Sequence, residues 1–547
     1  MGRAESQNEP ISRDFFMTQS AWIIDQLVDQ GVTKFCIAPG SRSAPLALAV
    51  AEHPRATTTI HYDERGIGFY ALGIGKGKKF PAAIITTSGT AVANLLPSVM
   101  EAHHSEVPLI LLTADRPHEL RACGANQTTD QIKLFANAIR FQIDLSPHLL
   151  EKDLRSIIAQ SFSASLQNPK GPVHINCPFQ EPLFHPISCK SKGNPIPCVF
   201  PTLSTPPMST EAKRGVILLG SIPSDPTPVM QLAKRLKWPI FADLLSNAKS
   251  KKSEEQIHHF DFLIRSPNTP TPDYLLHFGD RLTSKHVLEW AKETPLIHVS
   301  PSPFLQDPAR RLTLRVQSDI KPFCDTFQAE GDSSWLTLWK QMDEEIDLLI
   351  EEHFQTSPYT EAHAIRDLPK DRPLFLANSM PIRHANHFFF PNPKIPIFAN
   401  RGLSGIDGNI ATAAGIADAL QSPLLAFIGD QTALHDLNSL PLIKKQKILL
   451  IISNNFGGGI FDHLPVAKSP FLDAVFAASH AWHFEHAAKM FDIPYIRMEK
   501  QLGNLPSFGI VELITDRKEN HAFLTSLIQK TTQNERKITG YTGSSRI

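Results

Sequence analysis

Two short stretches hold residue types that could bind a hard cation: Ile428-Gly429-Asp430-Gln431 and Asn454-Asn455-Phe456-Gly457. A carboxylate at Asp430, an amide oxygen at Asn455 and a backbone carbonyl at Gly457 are donors that Mg²⁺ prefers. That ion takes about six oxygens and usually keeps phosphate and water among them. Singly, a Gly-Asp after a strand reads as a turn, and Asn-Asn before glycines reads as a loop. The elements between them argue for more. Residues 424–428 are an apolar run that reads as a buried strand, with Gly429 allowing a sharp exit. Leu434, Leu437, Leu440 and Ile443 recur at helical spacing over 432–445, and 448–452 reads as a second buried strand. Strand, helix, strand is a βαβ unit whose parallel strands end on one edge. Asp430 and Asn455 are therefore expected as neighbours, in an arrangement that suits a metal-bridged diphosphate.

Other candidates also follow strand-like runs, where ligand crevices form in open α/β sheets. Within 61–66, Asp63 reads as a helix cap and Glu64 as the first helical residue. Facing an apolar site across a subunit boundary, Glu64 would have a raised pKa and could trade a proton near neutral pH; the plain alternative is a surface pair with Arg65. Ser41 and Arg42 follow the first strand, Ser88 and Gly89 the third, and Arg116 the fourth, with Gln127 shortly after. Arg42 and Arg116 suit bidentate binding of carboxylates. Near the C-terminal third lie Ser379 and Arg383, then the glycine-dense loop 400–408 with Arg401, Ser404 and Ile406. That loop would let backbone approach a flat ring, with Ile406 as an apolar wedge. Helix starts after these loops would present free N–H groups to phosphate. The middle of the chain offers Lys285 and His286.

Several patterns are missing. There is no G-x-x-x-x-G-K-[ST], no dinucleotide G-x-G-x-x-G in the right setting and no G-x-S-x-G elbow. His483 and His486 have no third ligand placed and read as part of an ordinary helix.

The 547 residues suit about three domains. Lys plus Arg and Asp plus Glu number 54 each, so no bulk field favours nucleic acid or membrane, and anionic ligands must be caught by local arginines. Six cysteines without a CxxC pair read as free thiols of a reducing, cytoplasmic protein. No signal peptide and no membrane-length apolar run is evident.

Strand-like runs at 34–38, 57–62, 82–87, 109–114 and 173–177 alternate with helical stretches after a frayed 1–16. A Pro-, Ser- and Thr-rich linker follows over 186–213. A second alternating block has strands at 216–219, 240–242, 274–278, 296–299 and 314–316, and a helix near 335–354. A third has strands at 374–377, 395–399, 424–428, 448–452 and 510–513, then a polar tail from 532. The expected fold class is α/β, with three doubly wound parallel-sheet domains over 1–185, 214–355 and 371–531, joined by linkers 186–213 and 356–370.

The Gly-Asp…Asn-Asn spacing resembles the signature of thiamine-diphosphate enzymes, with Gln431 where a glycine is usual. The strings CIAPGSRS (36–43), DERGIGF (63–69), TSGTAVANLLP (87–97), LTADRP (112–117) and NRGLSGIDG (400–408) narrow this. They resemble the MenD family, the synthases of menaquinone biosynthesis that join 2-oxoglutarate to isochorismate; the nearest alternative is another thiamine-diphosphate-dependent 2-oxoacid decarboxylase or acetolactate-type synthase. The resemblance implies pyrimidine-binding, central and diphosphate-binding domains in a homodimer or dimer of dimers. It implies that Glu64 bonds the aminopyrimidine N1′ atom, that Asp430, Asn455 and Gly457 hold Mg²⁺ (or Mn²⁺), and that Ile406 supports the bent thiamine diphosphate. Ser88, Gly89, Ser404 and Gly429 fall in its cofactor-binding loops. Ser41, Arg42, Arg116, Gln127, Lys285, Ser379, Arg383 and Arg401 match its substrate-binding positions. His286 stands where the family often has arginine, which puts one carboxylate contact in question.

Overall fold

The computed structural model describes residues 15–146, 149–184, 195–249, 253–392 and 394–538. The expected frayed start (up to residue 14), the first part of the expected linker (185–194) and residues 539–547 of the expected tail lie outside them. Contacts divide the chain into two compact units. One comprises Met1–Phe200, Arg401–Leu403 and Ile410–Gln421; the other comprises Pro201–Asn400, Ser404–Asn409 and Ser422–Ile547.

The first unit is built on six parallel strands: β1 (Lys34–Ile37), β2 (Thr57–Ile60), β3 (Ala82–Thr86), β4 (Leu109–Asp115), β5 (Phe141–Asp144) and β6 (Pro172–Pro178), in the order β2-β1-β3-β4-β6-β5. β3, β4 and β6 are buried along their whole length, as strands covered by helices on both faces must be. The edge strand β5 is only half-buried. The helix Phe15–Asp29 packs Ile23, Ile24, Leu27 and Val28 into this core, and Gly31 follows it at φ 97°.

The second unit holds two further parallel sheets. A two-residue strand β7 (Ser209–Thr210) lies inside the expected linker. Five strands follow: β8 (Gly215–Leu219), β9 (Ile240–Ala242), β10 (Tyr274–Phe278), β11 (Leu296–Ser300) and β12 (Leu312–Gln317), in the order β12-β11-β10-β8-β9. β13 (Gln328–Ala329) pairs with β7. The last sheet comprises β14 (Leu374–Leu376), β15 (Ile397–Phe398), β16 (Leu425–Gly429), β17 (Leu449–Asn454), β18 (Tyr495–Glu499) and β19 (Gly509–Ile514), in the order β15-β14-β16-β17-β19-β18. Numbered within its own sheet, that order is the same 2-1-3-4-6-5 as in the first unit. All ladders are parallel, so loops at the carboxyl ends of neighbouring strands share an edge.

Three expectations need correction. The stretch between β16 and β17 is not one helix: Asp430–His435 ends, a 3₁₀ turn spans Leu437–Ser439, and Leu440–Gln446 restarts. Pro441 explains the break, because it has no N–H for a continuing ladder yet suits the first turn of a new helix. The expected tail from 532 is helical up to Ile538, within the helix Arg517–Ile538. Gly429 is ordinary extended backbone (φ −82°, ψ 164°), so the turn does not need a glycine conformation.

Cys36, Cys123, Cys177, Cys198 and Cys324 are free thiols, with Cys36 and Cys177 buried. No described helix is long and apolar enough to cross a membrane.

Candidate functional site

In the second unit, β16 and β17 pair with Gly429 opposite Ser453, which delivers Asp430 and the 454–457 loop to one place. The Gly457 N–H donates to Asp430 Oδ2 at 2.8 Å, and the Gln431 N–H donates to Oδ1 at 2.6 Å. The carboxyl is 2% exposed, and burial pushes it up to about 6 against the pull of these N–H groups. A buried carboxylate in this condition gains from a nearby cation.

The two asparagines are held differently. Asn454 is saturated: its Nδ2 donates to Glu512 Oε1 (2.7 Å) and Trp482 O (3.0 Å), and its Oδ1 accepts the Phe456 N–H (3.0 Å). Asn455 donates Nδ2 to Glu361 Oε1 at 2.7 Å, while its Oδ1 is buried with no hydrogen-bond partner among the described residues. A buried orphan acceptor costs about 1–3 kcal/mol, which a ligand cation would offset. The Gly457 carbonyl accepts the Gly459 N–H at 3.0 Å and retains a second lone pair. Nothing lies within 4 Å of the place a Cβ on Gly429 would occupy, which leaves open space beside Asp430. These residues fit a divalent cation bridged to a phosphate. No described cluster of three His, Cys, Asp or Glu side chains is arranged to hold a metal, so such an ion would need amide, carbonyl and ligand oxygens.

Along the same sheet edge, Ser379 follows β14 at φ 73°, and its carbonyl accepts Arg383 Nη1 at 2.6 Å. Among the described residues no carboxylate pairs with Arg383, and burial lowers its pKa. A guanidinium in that state is ready for an anion. Asn378 Nδ2 donates to Asn400 O (2.6 Å) and Gly405 O (2.7 Å), tying this loop to the one carrying Ser404 (φ 61°) and the half-exposed Ile406. Lys285 is exposed at the start of the helix His286–Trp290, and His286 turns to Glu289 of its own helix at 3.3 Å. Asp261 links that loop to Arg383's helix: it accepts from Ser284 Oγ and, at 2.8 Å, from His387 Nε2. Burial opposes ionisation of Asp261, but His387 and Arg265 hold its carboxyl well below the usual range.

In the first unit, Arg42 donates to Phe179 O (2.9 Å) and to Glu181 (3.1 Å). Burial and the neighbouring Arg116 lower its pKa. Arg116 Nη1 donates to Ser88 Oγ, which donates to Gln127 O at 2.9 Å, and Gln127 Nε2 returns to Ser88 O at 2.9 Å. Gly89 has φ 81° and Gln127 has φ 56°, and a Cβ on Gly89 would lie 2.9 Å from Gln127 Cγ, so only glycine fits that crossing. Asp63 caps the helix Glu64–Lys78 by accepting from the Arg65 and Gly66 N–H groups. Glu64, partly exposed, has Asn94 Nδ2 at 3.5 Å from Oε2. Ser41 is exposed in the turn after β1. Arg401 heads the segment whose Gly402 and Leu403 N–H groups donate to Glu101 at 2.9 and 2.7 Å.

Positive φ at Gln127, Ser379, Ser404 and Phe456 marks four of these loops, and such strain gathers at ligand sites. Sequence reasoning missed Glu101, Asp261, Glu361 and Glu512, the buried carboxylates that fix the loops. It also read His483 as helical, whereas it precedes the helix Glu485–Met490 and binds Glu512 at 2.8 Å.

Known families match this architecture. Residues 17–134 match the thiamine pyrophosphate enzyme N-terminal TPP binding domain, and residues 205–376 match the middle domain of thiamine pyrophosphate enzymes. The chain is 36% identical to a 2-succinyl-5-enolpyruvyl-6-hydroxy-3-cyclohexene-1-carboxylate synthase of Salinibacter ruber, over 91% of this chain and 93% of that protein. Synthases with the same name from Rubrobacter xylanophilus (34%; 93% and 97% covered) and Listeria innocua (35%; 93% and 96%) are similar along their length.

Proposed function

The chain belongs to the 2-succinyl-5-enolpyruvyl-6-hydroxy-3-cyclohexene-1-carboxylate synthase family of thiamine-diphosphate enzymes, and from that premise we propose that it decarboxylates 2-oxoglutarate and adds the succinyl unit 1,4 to isochorismate in menaquinone biosynthesis. The observation that carries this reading to the chain's own residues is the pair of loops at Asp430 and Asn455, which leaves one buried amide oxygen waiting for a positive charge.

Bound thiamine diphosphate would supply the nucleophilic carbon and the electron sink; the protein supplies orientation and charge. Asp430, Asn455 Oδ1 and the Gly457 carbonyl would hold Mg²⁺, with Mn²⁺ as a substitute. Ser88, Gly89, Ser404 and Gly429 would line the cofactor, with open space beside Gly429, and Ile406 would support it from below. Glu64 holds the proton at N1′ of the pyrimidine, across the interface of a homodimer or of the pairs in a dimer of dimers. Supporting such an interface, the first unit exposes Ile60 (64%) and Tyr62 (60%) just before Glu64. Both substrates are dianions at neutral pH. Ser41, Arg42, Arg116, Gln127, Lys285, Ser379, Arg383 and Arg401 are the groups proposed to bind their carboxylates and hydroxyls. Pyrimidine-binding, central and diphosphate-binding domains are assigned to 1–185, 214–355 and 371–531 of a cytoplasmic enzyme.

Mass spectrometry of reactions containing thiamine diphosphate, Mg²⁺ and 2-oxoglutarate, with and without isochorismate, tests the assignment. The succinylated cyclohexene adduct is expected only with both substrates. Release of succinic semialdehyde at the same rate whether or not isochorismate is present would identify a simple decarboxylase instead.

A further inference from the structure

We propose that Glu361 is a positioning residue that decides which end of the Asn455 amide faces the cation; this rests on the assignment of Asp430, Asn455 and Gly457 to the metal. An amide has a donor end and an acceptor end, and only the oxygen can bind a cation. Nothing in Asn455 itself chooses between them. Glu361 does: its Oε1 accepts from Asn455 Nδ2 at 2.7 Å, which turns Oδ1 the other way and leaves it buried without a partner among the described residues. The same oxygen accepts from Ser453 Oγ at 2.9 Å. Residues 453 and 455 are two apart at the exit of β17, so they share a face of the strand and meet one carboxylate. Asn454 faces the other way, onto Glu512, and its own oxygen is occupied. The two neighbouring asparagines thus differ because each is gripped by a different glutamate.

Glu361 is itself held firmly. It is 4% exposed and is the first residue of the helix Glu361–Arg366, whose Thr360 and His363 form a reciprocal cap. Its N–H donates to Asn520 Oδ1 at 3.0 Å. The nearest basic group, His384 Nε2, is 3.8 Å from Oε2, outside hydrogen-bond range. No arginine or lysine neutralises Glu361 among the described residues, so its hydrogen bonds to Ser453 and Asn455 are its main engagement. Ligand-orienting partners of this kind are worth about 10–100-fold in metal affinity.

Two near-isosteric variants separate orientation from charge. Glu361→Gln keeps an acceptor oxygen within reach of Asn455 but removes the charge. Glu361→Asp keeps the charge but withdraws the oxygen by one methylene. Mg²⁺ is titrated into the full-length protein at saturating thiamine diphosphate, and binding is followed by calorimetry, with Asp430→Ala as reference. Orientation predicts near wild-type Mg²⁺ affinity in Glu361→Gln and a loss of about 10–100-fold in Glu361→Asp. Wild-type affinity in Glu361→Asp, or an equal loss in both variants, overturns the positioning role. Should the aspartate variant not fold, the glutamine variant decides alone: tight binding without the charge sustains the role and weak binding ends it. If Asp430→Ala also leaves Mg²⁺ affinity unchanged, the metal assignment itself falls; if only Asp430→Ala weakens binding, the inference about Glu361 falls alone.

Discussion

The two six-stranded sheets share one strand order, yet the loops at their carboxyl edges carry different chemistry. After the third strand in spatial sequence one sheet carries Ser88-Gly89 and the other Gly429-Asp430; after the fourth, one carries Arg116 and the other Asn455 and Gly457. The first set offers cations already engaged with protein oxygens, as Arg42 is with Phe179 O and Glu181. The second offers oxygens, one of them without a partner among the described residues, and a guanidinium at Arg383 whose hydrogen bond there goes to a carbonyl. On the function proposed above, the same scaffold would bind anions at one set of loops and a cation at the other, and the difference lies in a few residues at strand ends.

The largest expected effect breaks this division at Glu64, the one acidic site residue proposed on the first sheet. Glu64→Gln should lower kcat by at least about 100-fold, the usual scale of acid–base assistance, while Mg²⁺-dependent cofactor binding survives in calorimetry. Near wild-type turnover would remove Glu64 from the chemistry. Next, Asp430→Ala should weaken thiamine diphosphate binding in the presence of Mg²⁺ by at least about tenfold, as loss of a charged ligand requires; unchanged affinity would count against the cation cradle.

Replacing arginines sharpens the contrast. Arg383→Ala should raise KM for a carboxylate substrate by about 10–100-fold, equivalent to a charge-assisted hydrogen bond, with little change in melting temperature. Arg42→Ala should also lower the melting temperature, because its guanidinium already bonds the chain at Phe179 and Glu181. Equal melting temperatures for the two variants would show that their partnering does not matter.

The smallest effect is a slope with pH. In the folded, cofactor-free chain burial raises Glu361 from 4.5 to about 7 and Asp430 from 3.8 to about 6. Carboxyls raised on folding stabilise the fold below their unfolded values, and that stability is lost as pH rises through the folded ones. Their contribution to the melting temperature therefore falls between about pH 4 and pH 7, and Glu361→Gln should flatten the upper part of the decline. An identical slope in that variant would contradict it.

Much of the scaffold was legible because buried parallel strands write themselves as apolar runs, as at β4 and β17. The half-exposed edge strands β5 and β18 were not, since mixed polar sequences such as Phe141–Asp144 and Tyr495–Glu499 lack that signal. The meeting of Asp430 and Asn455 followed from βαβ geometry. Gly429 misled, because its backbone is extended and the missing side chain leaves space rather than a turn. Glu361 was illegible for another reason. At the start of a short helix after Thr360 it looks like any helix-opening acid, and only tertiary packing brings it to Asn455.

The central claim is that Asp430 and Asn455 jointly grip one divalent ion. Crystals grown with Mn²⁺ and thiamine diphosphate test it most directly through the anomalous signal of the metal. The expected peak lies about 2 Å from both an Asp430 carboxylate oxygen and Asn455 Oδ1. A peak that touches neither, or one that meets Asp430 while Asn455 turns its nitrogen inward, would contradict the account.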